Sequence, residues 1–297
     1  MKRTTFTKFL SVAILGTMIV SCGDDSNNEN VIDQEVFDPK SSLNTVFDGK
    51  IFSIPSPIQI AYLIKDLDIT YDGAILNSDQ NATKYATEYK QALNLGIYGT
   101  DLGYLTLYEQ KSLSMNYLNS IEKLSAQLGL DAAFDSSFIS RFEENNGNED
   151  SMIYLMSDAF RKADNFLKNA NRKSTSALVL TGGWIESMYL ACELNKKKDS
   201  EDIKKRIAEQ KQSLASIIDL LTEYNKGGSN DSLIEQLRGL QESFDKISMN
   251  YEYEAPETHE DTKTTTFHHK LTVEFTKEVM TEITDKLSTM RNSIIKL

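Results

Sequence analysis

The sequence predicts a mostly α fold: a multi-helix bundle or helical-repeat-like array of about seven to nine helices, with one C-terminal β-hairpin. Three observations carry that prediction. Apolar residues recur at three- and four-residue spacings through most of the chain beyond Pro57. Four prolines in 297 residues are too few for a turn-rich β-sandwich. The stretch Asn94–Leu107 holds one charge, Asp101, in a chain that is 26% charged.

That stretch is apolar or small at nearly every angle of a helical projection, as expected of a helix buried on all sides. It is therefore read as the central helix. Gly96, Gly99 and Gly103 lie on one side of it. A glycine inside a helix costs about 1 kcal/mol relative to alanine, so a second helix backbone is expected to approach closely there.

Taken in order, Met1–Ser21 has the form of a secretion signal. Lys2, Arg3 and Lys8 supply its positive start, and Phe9–Val20 is an apolar run of 12 residues, too short to span a bilayer. From Gly23 to about Phe47 the chain is rich in Asp, Asn and Ser and reads as a flexible tether. As a coil, its length would reach on the order of 25–30 Å. Residues 51–297 read as a single helical domain. Ser56 and Pro57 have the form of a helix start, and Ile58–Leu67 forms a first short helix. Tyr71-Asp72-Gly73 marks a turn. Ala82, Tyr85, Ala86, Tyr89 and Leu93 mark a helical face running into the central stretch. Tyr117, Ile121, Leu124 and Leu128 mark the next helix, ended by Gly129.

Phe138–Phe142 reads as a short turn before the loop Glu144–Asn148, and Met152–Leu167 as a helix. Ser174–Leu194 is a second nearly uncharged helix, with Gly182, Gly183 and the only tryptophan, Trp184. Ile203 to Leu221 reads as one long surface helix. Gly227-Gly228 breaks the chain, and Ser232-Leu-Ile-Glu235 has the form of a capping box. Alternation at Tyr251–Glu254 and the β-branched run Lys263–His268 predict a hairpin near 250–270, the only strand pair expected. The last helix runs from about Thr276 to Ile295, with Val279, Ile283, Leu287, Met290 and Ile294 on one face.

The two uncharged helices resemble each other at an offset of 85. Ala92, Leu93, Leu95, Tyr104 and Leu105 match Ala177, Leu178, Leu180, Tyr189 and Leu190, while Asp101 falls opposite Glu186. Each acid lies within a nearly uncharged stretch of its helix with a tyrosine three residues on. A buried carboxylate needs donors, a cation or a proton. With few cations nearby in sequence, hydroxyl or backbone donors are expected, and the two acids would share a proton if they face each other.

Asp101, Tyr104, Tyr108, Trp184, Glu186 and Tyr189 are accordingly the candidate ligand-binding residues. A cavity lined by these aromatics would favour a small polar ligand. A continuous core with an apolar patch outside it would favour a protein partner. No phosphate loop, nucleophile elbow or Cys-x-x-Cys pair occurs. Neighbouring histidines on a strand point to opposite faces, so His259, His268 and His269 read as solvated hairpin residues. No catalytic residue, metal site or cofactor is expected. Cys192, beside Glu193 in an apolar helix, reads as a buried thiol.

The formal net charge of −12 disfavours nucleic acid as a partner. Ile19-Val20-Ser21-Cys22 resembles the bacterial lipobox, in which the cysteine becomes the acylated first residue. Cleavage there removes three positive charges and leaves 29 against 44, a formal −15. Gly23-Asp24-Asp25 resembles the acidic surface-export signal of Bacteroidota lipoproteins. As a whole, the chain resembles the helical lipoproteins of Bacteroidota of uncharacterised function. The resemblance implies attachment to the cell envelope through lipid on Cys22, at the outer membrane and facing its surface. The expected role is a non-enzymatic protein-interaction or assembly module with an envelope protein partner. The alternative is a lipoprotein that binds a small, oligosaccharide-like ligand.

Overall fold

The computed structural model describes residues 43–47, 50–54 and 69–297, apart from 254, 260, 262, 267 and 268. The signal segment, Cys22, most of the expected tether and the first helix at Ile58–Leu67 lie outside the described residues, as does His268.

Nine α-helices and six short strands make up the described chain. The mostly α class with a C-terminal hairpin is what the structure has. Its centre is α1 (Glu88–Leu107), in which all sixteen residues from Ala92 to Leu107 are buried. α2 (Lys111–Gln127) folds back along it, and Gly129 closes α2 with φ +67°. α3 (Ser136–Glu144) and α4 (Glu149–Asn169) follow, then α5 (Lys173–Lys197), buried on nearly all sides like α1. α6 (Glu201–Glu209) and α7 (Lys211–Glu223) pack against α5 and each other, and α8 (Asp231–Phe244) packs against α7. α9 (Lys277–Ile295) closes the domain against α8, α5 and α1. One continuous apolar core runs through all of them.

The α1–α5 pair is the axis of the fold. A Cβ on Gly96 would collide with the Val179 carbonyl oxygen and the Gly183 nitrogen, and one on Gly182 with the Leu93 carbonyl. Two backbones thus touch where the glycines were expected to admit them. Thr100 Oγ1 adds a hydrogen bond to the Gly183 carbonyl at 3.1 Å. Gly99 serves a different neighbour, since its missing side chain makes room for the Phe160 ring of α4. Glu88 meets Thr175, Leu93 meets Gly182 and Asp101 meets Glu186, so the helices run parallel. Residues that meet differ in number by about the offset of the sequence match. The likeness of the two helices therefore falls on facing positions.

Several elements depart from expectation. Leu43–Phe47 (β1) and Lys50–Ile54 (β2) form an antiparallel pair, with Phe47 opposite Lys50. The stretch read as a tether therefore does not run to Phe47, and the C-terminal hairpin is not the only strand pair. Phe47 is 1% exposed, its ring 5.6 Å from Tyr224, with the Lys168 ammonium 4.0 Å above it. Burying that ring ties the strand to the helical body. The signal was in the sequence, because Asp48-Gly49 is a favoured hairpin dipeptide.

The helix expected from Ala82 into α1 is divided. Asp79–Lys84 is a 3-10 turn, and Thr87 caps α1 by accepting from the Lys90 N–H. Ile203–Leu221 is two helices, interrupted at Gln210, and neither is a pure surface helix. α8 begins at Asp231 after Asn230, so Ser232–Glu235 lies inside it and forms no capping box.

The C-terminal hairpin is longer than expected. β3 (Ser248–Tyr253) pairs with β6 (His269–Glu274), and β4 (Glu257–His259) pairs with β5 (Thr264–Thr266) beyond them. The described residues of β4 and β5 are all exposed. The base of the hairpin has an apolar face, since Met249, Leu271 and Val273 turn towards the core.

Candidate functional site

Asp101 and Glu186 are fully buried, at 0% exposure, and face each other across the α1–α5 axis. Their partner is a cation from the far end of the chain. Arg291 of α9, 4% exposed, grips Glu186 with both arms of its fork. Nε donates to Oε2 at 3.0 Å and Nη2 to Oε1 at 2.9 Å. Nη2 also donates to the Ile75 carbonyl at 3.0 Å. Tyr189, one turn beyond Glu186, lies with its ring 4.6 Å from the guanidinium carbon, a cation–π contact. Burial lowers the tendency of Arg291 to hold its proton, but the Glu186 charge outweighs it and leaves the pKa raised.

The Asn77 N–H donates to Asp101 Oδ2 at 3.1 Å. Oδ1 is buried and meets no donor among the described residues, while the Glu186 carboxylate stands within hydrogen-bonding reach. Two carboxylates cannot share that contact without a proton. Desolvation, followed by the charge of Glu186, holds the Asp101 pKa well above the usual carboxylate range, against the opposing pull of Arg291. With Glu186 already gripped by Arg291, Asp101 is the carboxyl that favours keeping its proton, which it can offer to Glu186. The three groups then sum to zero charge, which is how the interior accommodates them.

The loop between residues 69 and 87 covers this cluster and is held by side chains below it. Asn77 is the hub. Its Nδ2 donates to the Tyr85 hydroxyl at 3.0 Å and to Asn94 Oδ1 at 3.1 Å, and its carbonyl accepts from Tyr117 at 2.7 Å. Tyr98 donates to the Ser78 carbonyl at 2.6 Å, and Tyr85 to the Ile295 carbonyl at 3.3 Å. Burial pushes the Tyr98 and Tyr117 phenols up, so they remain donors at any ordinary pH.

Tyr104 and Tyr108 share a face of α1 as their spacing implies, but both turn to the loop. Tyr104 accepts from the Asp72 N–H at 3.0 Å, and Tyr108 donates to the Ile69 carbonyl at 2.7 Å. With Tyr71 they form an aromatic group, at centroid separations of 4.7 to 5.8 Å. Trp184 faces the other side of α5, where its Nε1–H donates to Gln210 Oε1 at 3.4 Å.

Of the six candidates, the fold thus brings Asp101, Glu186 and Tyr189 together around Arg291. Tyr104 and Tyr108 form a separate aromatic group, and Trp184 stands apart from both. Two surface hollows lie elsewhere, one beside Arg141 and Tyr154, another along α9 between Lys277 and Lys286. Of the hydroxyl or backbone donors expected for the two acids, Asp101 has the backbone N–H of Asn77, while Glu186 has a guanidinium instead. Arg291 carried a signal that went unread: it follows Leu287 by four and precedes Ile294 by three, on the core-facing stripe of its helix. Asn77, in a loop, carried none.

Cys192 is buried, and burial pushes its thiol up to about 12. It is thus a poor nucleophile at neutral pH. Among the described residues, no group of three or more His, Cys, Asp or Glu side chains is placed to hold a metal ion. No protein family, curated protein or solved structure matches the chain.

Proposed function

We propose that this protein is a lipid-anchored component of the cell envelope that acts without catalysis, by holding a partner protein at the outer membrane. One observation carries the choice of a protein partner over a small ligand. The charged and aromatic groups that would have built a pocket are bonded to one another and to the chain's own backbone. Apolar surface instead stands outside the core, on the C-terminal hairpin. The scattering of Trp184, Tyr104 and Tyr189 onto different faces weighs against an oligosaccharide-like ligand.

Anchorage rests on the Ile19–Cys22 lipobox and the acidic residues after it. No described helix is long and apolar enough to cross a membrane. With Cys22→Ser, metabolic fatty-acid labelling of the chain is expected to vanish and the protein to leave the membrane fraction. Labelling that persists on the variant would refute the anchor.

A further inference from the structure

We propose that the C-terminal hairpin is the docking arm of that partner, taking an extended, cationic segment of another protein as an added strand along β3. The inference rests on the reading that this chain works by holding a protein, and it names where and how.

Strand register puts Met249 opposite Val273, Tyr251 opposite Leu271 and Tyr253 opposite His269. Directly paired residues share one face of a ribbon. That face begins in the core, where Met249 and Val273 pack and Leu271 is 8% exposed. It continues outward as Tyr251 at 63% and Tyr253 at 85%, the latter the most exposed large apolar side chain described. An apolar face that leaves the core and runs into solvent is surface of the kind that partners cover.

The backbone offers a second handle. Among the described residues, β3 and β6 each pair with one strand only, so each has an outer edge with no described strand beside it. Natural edge strands are blunted with charged side chains, lysine above all, with proline or with a bulge. β6 carries Lys270, whereas β3 reads Ser-Met-Asn-Tyr-Glu-Tyr, with neither lysine nor proline, and its one charge, Glu252, repels an acidic strand but admits a cationic one. Strand addition draws affinity from such an edge and specificity from alternate side chains. On β3 those side chains are Tyr251 and Tyr253.

Charge selects the occupant. Residues 248–274 carry six acidic side chains against two lysines, within a chain of net charge −12. A cationic segment is drawn to this arm, and a second copy of the same acidic chain is repelled.

The test uses the full lipidated chain in its own membrane, with the photo-crosslinking residue benzoylphenylalanine at position 253 and, separately, at exposed Phe166. Cross-linked segments are mapped by mass spectrometry. The segment captured from position 253 is then synthesised and its binding measured. The expected result is capture at 253 of a net-positive segment of another protein. Its synthetic form should bind about tenfold more weakly to the Tyr251→Ser/Tyr253→Ser chain and again in about 0.5 M salt. Unchanged melting of that double variant would show that the loss is not one of folding. Capture of this chain itself, capture of an acidic segment, or a segment whose binding ignores the tyrosines would overturn the proposal. Capture at 166 without capture at 253 would remove the hairpin but leave the protein-holding function. Capture at neither position would refute both.

Discussion

Replacing Asp101 with asparagine should stabilise this protein at neutral pH, although it removes a fully buried charged-type residue from the centre of the fold. Asp101 is neutral in the folded state because burial and the Glu186 charge hold its pKa well above the usual carboxylate range. In the unfolded chain it titrates near the ordinary value of about 3.9. A group whose folded pKa is raised lends stability below its unfolded pKa. That contribution is lost as pH climbs towards the folded pKa. Across that window, holding the proton costs about 1.4 kcal/mol per pH unit. Asparagine needs no proton. Its carbonyl can still accept from the Asn77 N–H, and its amide can donate to Glu186 where the carboxyl now does. Between about pH 4 and pH 7 the difference between the two proteins should therefore move in favour of D101N by about 4 kcal/mol.

The assay is urea denaturation from about pH 4 to pH 8 on the wild type and D101N, both carrying Cys22→Ser. Acids elsewhere whose values are lowered, such as Glu282 at about 2 beside Lys246 and Lys286 and Glu88 beside Thr175 and Arg172, have the opposite slope. They cancel in the difference between the two proteins. Parallel curves, or a D101N chain less stable by more than about 2 kcal/mol at pH 7, would refute the shared proton. Arg291→Met is the control of opposite sign. It strands Glu186 without a cation and should cost about 3–5 kcal/mol.

Two further outcomes follow from the packing. Gly96→Ala and Gly182→Ala should each destabilise by about 1–3 kcal/mol or more. Each added Cβ meets fixed backbone rather than a mobile side chain; urea midpoints that do not move would show the α1–α5 spacing to be looser than described. Replacing Glu257–Asp261 with a short Gly-rich turn should leave thermal stability within about 0.5 kcal/mol, because the described residues of β4 and β5 are exposed. A loss of several kcal/mol would make the outer hairpin a structural element, and a zinc-induced rise in the wild-type melting temperature would reveal a metal site at its histidines.

Local pattern was enough for much of this molecule. Asn94–Leu107 had to be buried because it is apolar on every side, and the glycines in it and in Ser174–Leu194 implied close backbones. Asp101 and Glu186 announced themselves as acids set within apolar stretches, and the offset of 85 placed them at matching positions. The short-range interruptions were harder to see. Thr87 starts a helix in the middle of a continuous apolar pattern, and Gln210 divides another. In both places a local cap or turn prevails over periodicity.

What the sequence determined by itself was therefore whatever depends on neighbours a few residues apart: most helix positions, the two buried helices and the two acids set in their apolar stretches. What only the tertiary structure decided was who meets whom. Arg291 lies 105 residues from Glu186, and the Asn77 N–H lies 24 from Asp101. Periodicity cannot say which distant cation enters a given cavity, because that choice is made by packing once the helices cross. The same holds for the aromatics. Tyr104 and Trp184 look equivalent along the chain, yet one faces the covering loop and the other the α6–α7 turn. A few tens of degrees of rotation about a helix axis separate a pocket from a strut, and the helix packing sets that rotation.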